Sequence, residues 1–190
     1  MTARIAPLDP PYDDATAQSL RKWMPPNSGM EPLALFRTIA RHPMLSERLR
    51  VLGAGLLGHG LVSLRVRELV ILRTCARCDA RYEWGVHVTA FSQAAGLDRD
   101  TVRATALATA AELDSRSDDD ALVLRIADAL HDRSTLPQSL FSAAVARFGE
   151  QQTLEIAALA GYYHLISYLI AVAAVEPESW AEPFPSHESV

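Results

Sequence analysis

The chain predicts an all-α fold, and three observations carry that prediction. All eleven prolines lie outside two long blocks, Met44–Leu136 and Gln138–Glu176. Both blocks are rich in Ala, Leu and Arg, which are good helix formers. Alternating β-branched residues, the mark of a half-buried strand, are almost absent. With 190 residues, 49% of them hydrophobic, the chain has the size and composition of one domain with a sizeable core.

The elements follow in order. Residues 1–32 hold six prolines and read as an extended arm with a short helical turn around Ala15–Trp23, laid on the body or on a neighbouring subunit. Residues 33–50 give a helix with Leu33, Phe36 and Ile39 on one side, and Pro43 interrupts it or starts the next helix. Gly53, Gly55, Gly58 and Gly60 predict a loop or tight crossing; they match no phosphate-binding pattern. A helix over 64–77 follows. Asp79 is the expected cap of the next, which runs to Ala95 and closes at Gly96. Asp98 is expected to cap a helix through Leu113, and Ser117 another, with Asp118, Asp119 and Asp120 in its first turn, where the helix dipole favours carboxylates. Leu122, Val123, Ile126, Ala127 and Leu130 supply its apolar stripe. Pro137 opens a helix that closes at Gly149, and a long apolar helix runs from Glu150 to Val175. Residues 33–176 thus form the helical domain, and 177–190 an irregular tail.

Composition excludes several classes. The net charge is −5, with a single lysine (Lys22) and no basic run interleaved with aromatics, so no nucleic-acid partner is expected. The first residues lack the apolar run of a signal peptide, which predicts a cytoplasmic protein. Residues 156–175 carry no formal charge over the length of a membrane span. The central His164 and the absence of Lys or Arg anchors point instead to a soluble helix buried all round, partly by another subunit, with no membrane partner.

The chemistry concentrates between residues 65 and 96. Glu83 and His87 are four apart and share a helix face. Glu68 lies on the preceding helix, and folding the two helices back on each other brings its carboxylate to the same place. Such a set suits general acid–base catalysis. The structural alternatives are a Glu68 ion pair with Arg65 or Arg73, and a routine exposed Glu83–His87 pair. Cys75 and Cys78 have the CxxC spacing of dithiol redox centres, but two small cysteines buried at a helix end would look the same. Tyr82 and Trp84 read as core aromatics or as stacking platforms. Glu-x3-His lacks the second histidine of a zinc-protease helix, so neither metal nor other cofactor is expected.

Glu68–Arg73, Tyr82–His87 and Ala94–Leu97 together resemble the carboxymuconolactone decarboxylase family, which includes the alkylhydroperoxidase D-type proteins. The likeness extends to Leu35–Pro43 and Gly161–Leu169 and covers roughly residues 33–180. It implies a helical bundle that assembles as dimers, trimers or hexamers. Aligned on Glu68 and His87, the peroxidase branch's two cysteines fall on Ala80 and Glu83, and Cys75 and Cys78 lie five residues earlier. The resemblance therefore implies the cysteine-free decarboxylase type, a carbon–carbon lyase that acts on a small lactone or carboxylic acid without a cofactor. In that reading His87 donates the proton, Glu68 orients it, and Glu83 faces the ligand. Arg73 or Arg81 holds a substrate carboxylate, with Tyr82, Trp84 and His164 as further binding residues. The alternatives are a thiol-dependent peroxidase using Cys75 and Cys78, and a non-catalytic binding member of the fold.

Overall fold

The computed structural model describes residues 3–25 and 28–186, and among these it contains nine helices and no strand. They are α1 (Asp14–Arg21), α2 (Ala34–Ile39), α3 (Pro43–Gly58), α4 (Leu64–Arg77), α5 (Arg81–Phe91), α6 (Arg99–Leu107), α7 (Ala110–Asp114), α8 (Asp119–Arg133) and α9 (Gln138–Ala173).

Helix α4 is the axis of the bundle and packs against α5, α6, α8 and α9. Every residue from Glu68 to Cys75 is buried, so the helix has no solvent face over two turns. Ser63 opens it by accepting the Val66 N–H, and a Schellman pair closes it: Ala80 N–H to Cys75 O at 2.8 Å and Asp79 N–H to Ala76 O at 3.1 Å. This corrects the expectation for Asp79. Its left-handed φ of 51° ends α4, Ala80 takes the cap position of α5, and the Asp79 carboxylate binds Arg81 instead.

Of the loop or tight crossing expected at the glycine cluster, the loop is corrected for Gly53, Gly55 and Gly58, and the tight crossing is found at Gly53. Helix α3 continues through Gly53 and Gly55 to Gly58, because tertiary packing outweighs their weak helix propensity. A Cβ on Gly53 would sit 2.5 Å from the Tyr162 hydroxyl, so its absence lets α3 and α9 approach. The loop that follows is held by Glu155, whose carboxylate accepts the Leu61 and Val62 N–H groups at 2.7 and 3.2 Å.

Regular helix in α5 stops at Phe91, and turns carry the chain to Gly96, whose φ of 65° closes the end as expected. The segment expected as one helix from Asp98 to Leu113 is two. Ala108 is extended, and Thr109 opens α7 through a reciprocal capping box with Glu112. Asp118, not Ser117, caps α8, while Asp119 and Asp120 reach across to Arg147 and Arg65. In α9, Gly149 breaks helical geometry at φ 76° and ψ 170°, where the sequence predicts the junction of two helices. By length and composition α9 is long and apolar enough to cross a membrane, and half of its most apolar stretch is buried inside the chain.

The described residues before α2 and after α9 lie on the chain's own body. Arg4 and Ile5 donate to the Ala173 carbonyl, Trp23 stacks on Phe36 at 4.5 Å, and its indole N–H donates to Ser46 Oγ. After α9, Glu178 accepts hydrogen bonds from the Ala34 N–H and the Tyr82 hydroxyl, both at 2.7 Å. Glu182 then crosses α5 at Gly85, where a side chain would collide with its carbonyl.

Candidate functional site

The fold of α4 against α5 brings Glu68 and His87 together, with Nδ1 2.8 Å from Glu68 Oε2. Glu68 is wholly buried, and its other oxygen accepts from Arg67 at 2.8 Å. Its arginine partner is thus Arg67 rather than Arg65, which binds Asp120, or Arg73, which binds Asp128. Arg67 also donates to the Leu57 carbonyl and lies over the Phe91 ring. The guanidinium is held from three sides.

On the far side of the imidazole, Nε2 is 3.0 Å from the Tyr163 hydroxyl and 3.4 Å from Glu83 Oε1. Burial pulls the His87 pKa down, but the Glu68 carboxylate, and then Glu83, more than reverse this and raise it to about 9. His87 is accordingly an imidazolium at neutral pH. Burial first, and then the Glu83 and Glu68 charges, push the Tyr163 phenol well above its ordinary value, so it stays protonated. With the imidazolium donating to its oxygen, its own proton is directed elsewhere. Glu83 Oε2 is buried without a hydrogen-bond partner among the described residues.

These groups face a cavity of about 340 Å³. Glu83, His87 and Phe91 form one wall, Tyr162 and Tyr163 another, and Gly53 with Leu57 a third. The arm contributes Trp23, and the tail contributes Trp180. The lining is mainly apolar, with Lys22 and Arg50 as its two further cations; Arg50 is bound to Glu47 at 2.7 Å. A small apolar molecule with one hydrogen-bonding end matches such a site.

Several residues expected in the site are elsewhere. Arg73 lies buried in a bidentate pair with Asp128 (2.7 and 2.8 Å) and donates to the Thr105 and Ala108 carbonyls. Four of its five N–H donors are taken, and it does not line the cavity. Arg81 is exposed and bound to Asp79. Tyr82 donates to Glu178, Trp84 is a core residue bonded to Thr105 Oγ1, and neither lines the cavity. Cys75 and Cys78 are free thiols that also stand off the cavity. Burial raises both thiol pKa values, that of Cys75 strongly, so neither is a ready thiolate. His164 lies beside Cys78 and His131.

Tyr163, Arg67, Lys22 and Arg50 carried no site role in the sequence analysis, nor did His131 beside His164. Tyr163 sits inside the Gly161–Leu169 motif, so its place beside a histidine, the second aromatic–histidine run of the chain, was the available signal. His131 had none: it reaches the cluster through the packing of α8 on α4.

The architecture is the all-α alkylhydroperoxidase D-like fold, and solved structures of that class superpose along nearly the whole chain. A cysteine-to-alanine variant of the debrominase Bmp8 in complex with 2,3,4-tribromopyrrole is 16% identical, covering 95% of this chain and 94% of that one, with a TM-score of 0.75. The apo form of Bmp8 is 15% identical, with 93% and 92% covered and a TM-score of 0.74. An uncharacterized peroxidase-related protein from Silicibacter sp. TM1040 is 16% identical, with 95% and 96% covered and a TM-score of 0.76. Identities at this level establish the fold. No protein-family model matches the chain, and a search of curated protein sequences gives no match.

Proposed function

We propose that the protein is a cofactor-free acid–base enzyme that decarboxylates a small β-keto or unsaturated lactone acid. The observation that carries this reading is a buried imidazolium, held by Glu68 on one nitrogen and by the Tyr163 hydroxyl and Glu83 on the other, in the wall of an apolar cavity. In the reaction the bond from the carboxylate to the α carbon breaks, CO₂ leaves, and the electron pair passes to a conjugated carbonyl oxygen. Substrate breaks the hydrogen bond from Nε2 to Tyr163, and His87 then transfers its Nε2 proton to carbon and regains one from solvent. Glu68 keeps Nδ1–H oriented throughout, and the neutral Tyr163 hydroxyl can hydrogen-bond the enolate oxygen. Lys22 or Arg50, rather than Arg73 or Arg81, would take the substrate carboxylate.

A thiol-dependent peroxidase is the rival reading. It is supported by a peroxidase-related structural neighbour and opposed by two protonated thiols outside the cavity. A filled cavity would have favoured a non-catalytic role, but the space beside Phe91 and Tyr163 is open. Assembly as a homo-oligomer is part of the proposal, supported by the exposed Leu154, Tyr168 and Val172 on α9.

The test incubates the protein in D₂O with a panel of β-keto acids and unsaturated lactone acids, scoring CO₂ release and deuterium on the product's α carbon. Turnover should fall about 10²–10⁴-fold in His87→Gln and persist in Cys75→Ser/Cys78→Ser. Consumption of an organic hydroperoxide that is lost in the double cysteine variant, with no acid decarboxylated, would replace this reading with the thiol one.

A further inference from the structure

A second group of donor atoms converges away from the cavity. Cys78 Sγ, His131 Nδ1 and His164 Nε2 lie within 4.8 Å of one another, all half-buried. They come from three helices: the C-cap of α4, the last turn of α8 and the middle of α9. Cys78 Sγ is 3.7 Å from His131 Nδ1, which is 3.0 Å from His164 Nε2.

The tautomers make this more than a proximity. His164 Nδ1 is 2.9 Å from the Ala160 carbonyl oxygen, an acceptor only, so that nitrogen carries the proton. A neutral His164 therefore presents its Nε2 lone pair to His131 Nδ1. One shared proton satisfies the two rings, while the thiol has the 3.7 Å contact to His131 and the Ser167 hydroxyl beside it. A cation satisfies all three donors, and the Ala160 carbonyl already supplies the outer hydrogen bond that orients a histidine ligand.

We infer that Cys78, His131 and His164 form a site for Zn²⁺, with the cysteine bound as thiolate and its proton released to solvent. Bonds of about 2.0–2.1 Å to nitrogen and about 2.3 Å to sulfur put tetrahedral neighbours roughly 3.3–3.6 Å apart. The 3.7 and 3.0 Å spacings therefore need shifts of a few tenths of an ångström, and the third pair, within 4.8 Å, must close by up to about 1.2 Å. One sulfur and two imidazoles suit zinc and its first-row neighbours rather than Mg²⁺ or Ca²⁺. The nearby Arg77 charge acts against a cation at His131, and Asp132 at 2.5 Å with Asp128 at 3.6 Å offsets part of it. Three protein ligands leave the fourth position to water. Bound metal would cross-link α4, α8 and α9 and withhold Cys78 from disulfide exchange with Cys75. None of the three ligands lines the cavity, so this site is independent of the proposed reaction.

Metal-free, tag-free full-length protein titrated with Co²⁺ reads the site directly. The expected result is one equivalent bound, with the thiolate-to-cobalt absorption and the visible bands of a tetrahedral ion. Both are lost in Cys78→Ser and His164→Asn and kept in Cys75→Ser. Zinc should displace the cobalt and raise the melting temperature of the wild type but not of Cys78→Ser. X-ray absorption of the wild-type zinc form needs no variant, and should find one sulfur at about 2.3 Å with imidazole nitrogens. Substoichiometric binding, a spectrum unchanged in Cys78→Ser, or a shell of oxygen and nitrogen alone would overturn the site.

Discussion

His87 Nδ1 and Glu68 Oε2 meet at 2.8 Å inside the α4–α5 pair, with the histidine side chain only 5% exposed and the glutamate fully buried. A histidine with a higher pKa in the folded than the unfolded state binds its proton more tightly when folded. The resulting stabilisation is fully present below the ordinary value of 6.5 and is lost as pH rises through about 9. Chemical denaturation should therefore show the protein losing on the order of 3 kcal/mol between pH 6 and pH 10. Glu68→Gln should flatten that dependence and lower stability at pH 6.

The same protonation sets the pH profile of turnover. If His87 is the acid, kcat must fall above about pH 9 as the imidazolium is lost. In Glu68→Gln the falling limb should move to lower pH. Initial rates across pH 6–10 check both.

Gly53 and Gly55 separate packing from helix propensity on one helix. Alanine at Gly53 would meet the Tyr162 hydroxyl at 2.5 Å and its Cζ at 2.9 Å, forcing the ring from its bond to the Leu49 carbonyl. Gly53→Ala should cost about 1–3 kcal/mol and shrink the cavity. Gly55 has nothing within 4 Å, so Gly55→Ala should gain up to about 1 kcal/mol. Two thermal melts decide it.

Arg73 is a structural cation. Arg73→Met leaves Asp128 with only the longer contact to Arg77 at 3.6 Å and should destabilise the fold by about 3 kcal/mol. KM of the protein that remains folded should not change. A raised KM at unchanged stability would return Arg73 to the substrate.

Gly85 admits the tail. Gly85→Ala should expel Glu182 from α5, separate Phe184 from Trp84, and remove Trp180 from the cavity wall. Limited proteolysis should then cut after α9, where the wild type resists.

Local signals explain what was legible in the chain. The bounds of α4, Leu64–Arg77, agree with the predicted 64–77 because Ser63 caps its start and no Gly or Pro interrupts the stretch up to Arg77. The Glu68–Glu83–His87 set was readable because i, i+4 spacing and one helical turn-back suffice to join it. Thr109-x-x-Glu112 was a readable capping box and would have split α6 from α7. Arg73 was misread because its partner lies 55 residues away on α8, and no local pattern announces a buried cross-helix pair. The cavity was hidden for the same reason: Trp23 and Trp180 reach it from opposite ends of the chain.

The most direct measurement is a ¹⁵N NMR titration of the histidine side chains, with His87 assigned through His87→Gln. Both His87 nitrogens should be protonated at pH 7.5 and titrate near pH 9, with a lower midpoint in Glu68→Gln. A His87 that is neutral at pH 7.5, with one bare nitrogen, would contradict its role as the proton donor.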